Sequence, residues 1–504
     1  MANVLAVDVG TMSMRTSIYN DKGQELYKSA YEYSAIYLPE GQVEQDTTDW
    51  KNGLEFNLKN VGEFIKENSV EIEGVSVTSQ RASVIPITDS GRPLYNAITW
   101  QDKRSIGVVD ELLEKISMKE IFEKTGLRAN PYFSLPKMLW IKERAPLIYK
   151  ETDKFIGVQD YVVYLLTKKF VTDVTQAART MLMNIEKFDW DEEMLAISGI
   201  TKDYLPELKK PGSIAGDLVD HYQKLLNIDK AVPVIMAGGD QQNAALALNV
   251  FKEGQAEANT GTGSFVIAHV DKPVFDEDMR ILCSASAVPG KWILEASIFN
   301  SGSTYRWFRN NFYSEEEANY DFMNEEASTS TIGANGVMLI PHFEGSAAPF
   351  WNSYAKGLFF NLSLGTTRAD MARAILEGIA VEIANNLSLM ESVSGKLDAI
   401  NVAGGLTQSD LFNQIQADVS YRPITKYENS EASSLGAVMS AFVTLGVFES
   451  YEEAFQKIVS EEDQTTYTPK ASNHLKYNRV AARKAALYNA LNEKQVYEKF
   501  MDEI

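Results

Sequence analysis

Cysteine is almost missing from this 504-residue chain: Cys283 is the single one. An internal disulfide framework is thereby excluded, and the composition suits a reducing compartment. A nucleophilic thiol would have to be Cys283, which has no flanking basic residue to lower its pKa; a small, buried, apolar role is expected instead. Histidine is scarce too. His221, His269, His342 and His474 are scattered, and no pair has metal-ligand spacing. Positive charge is in deficit: 48 Lys and Arg stand against 69 Asp and Glu, a net charge of −21. Nucleic acid and anionic membrane both need a basic footprint, so neither is an expected partner. An anionic small ligand, held by a few donors inside a cleft, stays open. No apolar run reaches membrane-spanning length. The opening "MANVLAVDVG" has no basic n-region and too short an apolar run for a signal peptide, so the cytoplasm is expected. Chemistry must then run on carboxylates, hydroxyls and backbone donors.

What is present reads as a folded chain, 45% apolar and 23% charged. Its length exceeds one ordinary core, so two or more domains are expected. "NVLAVDVG" and "RTSIYNDKGQELYKSAYEY" predict a strand, a glycine turn and a hairpin around "NDKGQ". Residues 50–68 have helical spacing, and "VIPITDSGRPLYNAITW" predicts a second hairpin around Ser-Gly. Helical patterns dominate from about 105 to 205. After a Pro/Gly-punctuated stretch at 206–217 the opening theme recurs, with strand–glycine–strand patterns near residues 4–19 and again near 256–270. Two related α/β halves are expected, 1–244 and 245–504, with a hinge near 243–255. The acidic tail, 492–504, reads as a solvated helix end.

Four short stretches carry the chemistry. In "DVGTMSMR" (8–15) a strand ends in Asp8, Gly10 allows close backbone approach, Thr11 and Ser13 add hydroxyls, and Arg15 adds a positive charge. Such a turn can cradle phosphate through N–H groups while Asp8 holds a divalent metal or its water shell. In "NTGTGSF" (259–265) Thr260, Thr262 and Ser264 alternate with Gly261 and Gly263, which predicts hydroxyls and bare backbone on one side. The lysine and spacing of a Walker A loop are absent. In "NVAGGLTQSDLFNQIQAD" (401–418) a strand runs into Gly404-Gly405, and a helix starts near Ser409 with Asp410 as a capping candidate. Bare backbone there has room for a purine or ribose. In "VIMAGGDQQNAALAL" (234–248) Asp240 leaves a buried-looking strand between two glycines and two glutamines. Each stretch alone is equally a plain turn. Together they describe a phosphate clamp made by two halves, with Asp240 near a γ-phosphate.

These stretches resemble the FGGY carbohydrate kinases. The likeness spans nearly the whole chain and includes "GLFFNLSLGTTRADMARAILEG" (357–378), similar to the family signature. It implies an α/β fold of two ribonuclease H-like domains, of the actin/hexokinase/Hsp70 ATPase type, with a cleft between them. It also implies ATP-dependent phosphorylation of a small polyol or open-chain sugar, with Mg²⁺. Carried over by position, Asp240 is the catalytic base. Arg81, Tyr132, Asp240 and Gln241 bind acceptor hydroxyls, with Trp100 and Phe265 as walls. Thr11, Ser13, Gly261 and Thr262 meet phosphates, with Arg15 beside the first turn. Gly302, Gly404 and Gly405 lie near the nucleoside, and Asp8 and Asp240 sit around Mg²⁺. A homo-oligomer, dimer or tetramer, is the expected assembly.

Within the family, "SQRASV", "RPLYNAITWQDKR", "PYFSLPK" and "VTDVTQAARTMLMNIEKFDWD" resemble glycerol kinases. Those enzymes carry glutamate where this chain has Ala82, and a Thr or Ser at Met12. Arg306 and Ser409 stand where they carry amides, while "SGSTYRWFRNNF" (301–312) is similar to autoinducer-2 kinases. The missing glutamate moves the expected acceptor from glycerol towards a larger polyol or open-chain sugar. Ketopentose kinases of the xylulokinase type and autoinducer-2-like kinases are alternatives. An actin- or Hsp70-like ATPase switch and a non-catalytic sugar sensor are rivals of another class; neither needs the wall of Arg81, Tyr132 and Asp240 and an intact phosphate clamp together.

Overall fold

The computed structural model describes residues 2–427, 431–459 and 464–501. Its first sheet grows from a meander: β1 (Asn3–Val9), β2 (Ser13–Asn20) and β3 (Glu25–Glu32) are antiparallel neighbours. On its other edge β1 pairs in parallel with β4 (Gly74–Ser79). β6 (Pro233–Gly239) is parallel to β4, and β5 (Ile214–Asp217) is antiparallel to β6. The order is β5-β6-β4-β1-β2-β3. The predicted turn between β2 and β3 forms, with Gly23 at φ 75° and the Asn20 side chain accepting from the N–H groups of Lys22 and Gln24.

The second sheet repeats the plan. β7 (Gln255–Thr260), β8 (Ser264–Val270) and β10 (Trp292–Ile298) are antiparallel neighbours, with β9 (Leu282–Ala285) outside β10. β11 (Ala399–Ala403) and β12 (Ile424–Tyr427) continue in parallel beyond β7, and β13 (Gln464–Tyr467) closes the edge antiparallel. The order is β9-β10-β8-β7-β11-β12-β13. β1 and β4 are buried on both faces: β1 reads as a nearly continuous apolar run, whereas β4, GVSVTS, alternates valines with hydroxyl residues, of which Ser76 and Thr78 donate to buried backbone carbonyls.

Helices cover these sheets. α1 (Thr47–Asn68) is capped by Asp46, whose side chain accepts from the Thr48 N–H, and it buries Trp50, Leu54, Leu58, Val61 and Ile65 at helical spacing. The two halves meet where α3 (Asp240–Ala247) crosses α7 (Ala432–Thr444), with α2 being Val158–Thr167, α4 Gly302–Phe312, α5 Arg368–Ser394 and α6 Asp410–Ser420. Val4, Ala6, Ile235, Leu246, Leu435, Val438 and Phe442 form one apolar cluster across that crossing. A Cβ on Gly436 would lie 1.8 Å from the Asn243 carbonyl oxygen, so the two backbones touch and only glycine fits. The Ser76 hydroxyl donates to the Ala437 carbonyl at 2.7 Å. α3 is thus gripped by both halves, and its first residue is Asp240.

The structure refines three expectations. The hairpin around the Ser-Gly turn forms, with Val84 and Ile98 exchanging N–H donors at 2.9 and 3.0 Å and Leu94 N–H donating to the Pro86 carbonyl at 2.9 Å; its arms also pair outwards, Ile85–Ile87 with Lys154–Ile156 and Ala97–Ile98 with Gln45 and Glu44. Ile85, Ile87 and Ile98 are fully buried, and a lone two-stranded ribbon could not cover them. The region 105–205 is helical but interrupted by short strands at 154–156, 171–173, 183–184 and 189–190. The tail is only partly solvated: after α8 (Ala471–Glu493) a short helix, Val496–Met501, buries Tyr497 near Tyr488; residues 502–504 lie outside the described residues. Among the described residues no helix is long and apolar enough to cross a membrane.

Candidate active site

β1, β4 and β6 end in register, Val9 beside Ser79 and Ser79 beside Gly239. Ligands of open α/β sheets collect beyond such carboxyl ends. The turn after β1, Gln80-Arg81 after β4 and Asp240 after β6 all emerge there.

The turn after β1 is held from several sides. Gly10 N–H donates to the Ser13 carbonyl at 3.0 Å. The Tyr33 hydroxyl donates to the Gly10 carbonyl at 2.7 Å, and Gln45 Nε2 to the Thr11 carbonyl at 2.5 Å. The Thr11 hydroxyl donates to Gln80 Oε1 and accepts from Trp100 Nε1, both at 3.3 Å. Trp100 therefore joins this turn to the acceptor wall. Met12 projects into solvent and leaves its backbone to define the turn. Arg15 is directed to Glu431, with Nη1 2.6 Å from Oε2, so its charge is committed to an ion pair.

The glycines before Asp240 have a steric purpose. Gly238 lies at φ +111°. A Cβ on Gly239 would come within 2.5 Å of both Arg81 Cδ and Gln242 Oε1. Bare backbone lets Arg81 pass beside β6, so that its Nε stands 3.5 Å from Asp240 Oδ1. Asp240 Oδ1 also accepts from the Gln241 N–H at 2.8 Å, and the side chain of Asp240 stays 24% exposed. Burial raises its pKa, with the Arg81 charge opposing.

Arg81 is held by a carboxylate from the second half. Its Nη1 donates to Glu295 Oε2 at 2.6 Å and its Nη2 to Oε1 at 3.3 Å. Arg179 Nη2 meets the same Oε1 at 3.0 Å. Burial works against the Glu295 anion, but the two guanidiniums hold its carboxyl below the usual range. The Arg81 guanidinium lies 5.7 Å from the Phe265 ring centroid, that of Arg179 lies 5.5 Å from Tyr132's, and the Tyr132 and Trp100 rings are 5.6 Å apart. All the predicted acceptor residues with side chains on this wall, Arg81, Tyr132, Trp100, Phe265 and Asp240, are thus connected. Gln241 follows Asp240 in α3, and its Oε1 has no hydrogen-bond partner among the described residues. Lys137 locks the Tyr132 segment, with Nζ donating to the carbonyls of Pro131, Tyr132 and Phe133 at 2.9, 2.6 and 2.9 Å.

The second and third glycine turns meet one another. Gly302 N–H donates to the Gly261 carbonyl at 3.0 Å, and the N–H groups of Ser301 and Ser303 both donate to the Thr262 carbonyl at 3.0 Å. A Cβ on Gly302 would lie 2.4 Å from the Gly261 oxygen; one on Gly404, at φ +99°, would lie 2.5 Å from the Thr260 oxygen. Gly405 faces open space. The hydroxyls do not share one side as the alternation predicts: Thr260 and Ser264 are buried, with Ser264 bonded to Ser301 at 2.7 Å, and only Thr262 is exposed. Ser264 thus turns to the start of α4, while the Thr260 hydroxyl is buried with no hydrogen-bond partner among the described residues. In the third turn Ser409 is the cap, its Oγ accepting from Phe412 N–H at 3.3 Å. Asp410 is the first helical residue and accepts from the Tyr467 hydroxyl at 2.5 Å.

Glu295 and Arg179 were not singled out from sequence. A lone charge in the apolar strand "WILEASIF" was the available signal for Glu295; Arg179 in "QAARTML" offered none.

The chain matches the model of the FGGY family of carbohydrate kinases, N-terminal domain, over residues 3–247, and of its C-terminal domain over 256–445. It is 33% identical to glycerol kinase 2 of Saccharolobus solfataricus over 94% of this chain and 95% of that one. Gluconate kinase from Lactobacillus acidophilus superposes with a TM-score of 0.92 at 26% identity, covering 99% of each chain. Plasmodium falciparum glycerol kinase with ADP does so with a TM-score of 0.87 at 28% identity, covering 98% of each. Two repeated α/β halves of the actin/hexokinase type, the joined glycine turns and these likenesses lead to one conclusion: the chain belongs to the FGGY family of carbohydrate kinases and is a phosphotransferase.

Proposed function

We propose that this kinase transfers the γ-phosphoryl group of ATP to a terminal hydroxyl of a small polyol or open-chain sugar, with Asp240 as general base. The observation that carries the reading is the constellation around Asp240: a partly exposed carboxylate, 3.5 Å from a buried guanidinium, at the end of β6 beside the turn after β1. Phosphoryl transfer asks a protein for positioning and charge neutralisation. Arg81, Tyr132 and Gln241 orient the acceptor, and Trp100 and Phe265 wall it from water. Asp240 accepts the proton from the attacking hydroxyl; a positioned base of this kind contributes about 10²–10⁴-fold. Thr11, Ser13, Gly261 and Thr262 take the phosphates through backbone N–H and hydroxyl donors. Gly302, Gly404 and Gly405 give the nucleoside bare backbone. Arg15 acts through its ion pair with Glu431, shaping the first turn rather than touching phosphate.

Mg²⁺ fits the carboxylates present. Among the described residues no group of three or more Asp, Glu, His or Cys could cage a metal alone. Asp8 is pushed up to about 7 by burial and then by the charge of Asp240, so two acidic groups share a site that a cation would relieve. Mg²⁺ keeps several waters and binds through one or two carboxylates plus phosphates, and it would neutralise charge on the transferring group. Residues 1–244 supply the acceptor wall and first phosphate turn, and 245–504 the second turn and nucleoside site. Assembly as a dimer or tetramer completes the proposal. ADP formation measured over glycerol, erythritol, pentitols, ketopentoses, gluconate and dihydroxy ketones is the test: transfer to at least one acceptor is expected, and ADP release that stays flat across the panel refutes it.

A further inference from the structure

We propose that Arg179 is a further acceptor contact, selecting a neutral polyhydroxyl acceptor of four or more carbons over glycerol. This deepens the kinase reading above and rests on it. Arg179 is 1% exposed. Its Nη2 is used by Glu295, but Nε and Nη1 have no partner among the described residues. A guanidinium carries five N–H donors and cannot shed its charge, so buried donors of this kind call for an acceptor oxygen. The neighbours supply none: the guanidinium lies over the Phe133 and Tyr132 rings, at 5.0 and 5.5 Å. The Ser134 hydroxyl lies 3.4 Å from the Ala82 carbonyl and 3.5 Å from that of Arg179, which brings the backbones of these two residues to one point, and the Ala82 side chain carries no polar atom.

Position sets the length. Arg81 touches Asp240, and Arg179 touches Arg81 only through Glu295. A short acceptor with its reacting hydroxyl at Asp240 ends at Arg81, whereas a longer chain brings further hydroxyls to Arg179. Charge sets the class. Arg81 and Arg179 balance Glu295 and Asp240. Glu257, on β7 in the same cross-strand row as Glu295 through Ile267, is fully buried with both carboxyl oxygens unpartnered among the described residues. Burial and the Glu295 charge raise its pKa well above the usual range, which keeps it neutral. A sugar acid would add an uncompensated carboxylate to a balanced wall; a polyol or neutral sugar adds none.

The experiment compares kcat/KM for glycerol, erythritol, ribitol, a ketopentose and gluconate in the wild type, Arg179→Lys and Ala82→Glu. Expected are four- and five-carbon neutral acceptors at least about 10-fold better than glycerol. Arg179→Lys keeps the charge facing Glu295 but loses the free N–H donors, so it lowers kcat/KM for the longer acceptors about 10- to 100-fold. That loss is expected mainly through KM and falls more heavily on the longer acceptors than on glycerol. Ala82→Glu occupies the free donors and moves preference back to glycerol; it decides the matter should Arg179→Lys not fold. A wild type that prefers glycerol or gluconate, or an Arg179→Lys loss equal for every acceptor, overturns this inference while leaving the kinase reading intact. No transfer to any acceptor overturns both.

Discussion

Replacing Glu295 by Gln tests whether the two halves are tied through one buried carboxylate. Glu295 is fully buried, and its two oxygens accept from Arg81 at 2.6 and 3.3 Å and contact Arg179 at 3.0 Å. Gln keeps the shape and one oxygen. Whichever position takes the NH₂, at least one guanidinium N–H then faces a donor. A hydrogen bond to a charged group is worth about 1.5–3 kcal/mol, and removing one partner of a buried ion pair costs about 3–5 kcal/mol. Because Gln still offers one acceptor, we expect a loss of about 3 kcal/mol. The same change frees Arg81 to turn towards Asp240, so the acceptor KM should rise about 10-fold or more while the nucleotide KM holds. Urea unfolding followed by two probes, one per half, gives the first number, with two probes needed because large chains need not unfold in one step. Coupled ADP release gives the second. A variant within about 0.5 kcal/mol of wild type and with an unchanged acceptor KM would refute the assignment of Glu295 as the tie.

Three further changes probe other parts. Gly302→Ala forces the Gly261 carbonyl away from a Cβ that would lie 2.4 Å from it; the nucleotide KM should rise about 10-fold or more with stability affected by about 1–3 kcal/mol, and an unchanged nucleotide KM contradicts the joined-turn geometry. Lys137→Met strands three carbonyls, at a cost of about 2–3 kcal/mol, and raises the acceptor KM selectively. Burial draws the Lys137 pKa down to about 7, below its value in the unfolded chain, so the unfolded state holds the extra proton above that pH. This residue's share of stability therefore rises with pH from about 7 to 10 and is lost as pH falls through about 7; the Met variant should lack that slope in urea midpoints. Cys283 is buried and its thiol is pushed up to about 12. Iodoacetamide at about pH 8 should leave it unlabelled in the folded protein and label it fully in denaturant, and ready labelling under native conditions contradicts the burial.

Much of this site was legible because its backbone chemistry is local. Gly263, Gly302 and Gly404 sit where a Cβ would run into backbone, and such positions announce themselves as glycines at the ends of strands. Asp240 stood out as a carboxylate where a buried strand ends. Residues acting across the chain were not legible. Glu295 is 214 positions from Arg81, and no local pattern says that a strand residue of one half will hold an arginine of the other. The alternation of hydroxyls in "NTGTGSF" misled for a related reason: Thr260 and Ser264 face each other across the hairpin, and tertiary packing decides which of them meets solvent. The arms around the Ser-Gly turn of 88–92 are the mutual partners their pattern suggests, but the further partner that burial gives each of them had no local signal.

The account turns on Asp240 as base, and Asp240→Asn tests it most directly. Asn keeps the oxygen that accepts from the Gln241 N–H at 2.8 Å but loses the negative charge beside Arg81 and with it the ability to take a proton. The account predicts that turnover with the best acceptor falls about 10²–10⁴-fold while the affinity for ADP stays within about threefold; turnover near that of wild type would contradict it.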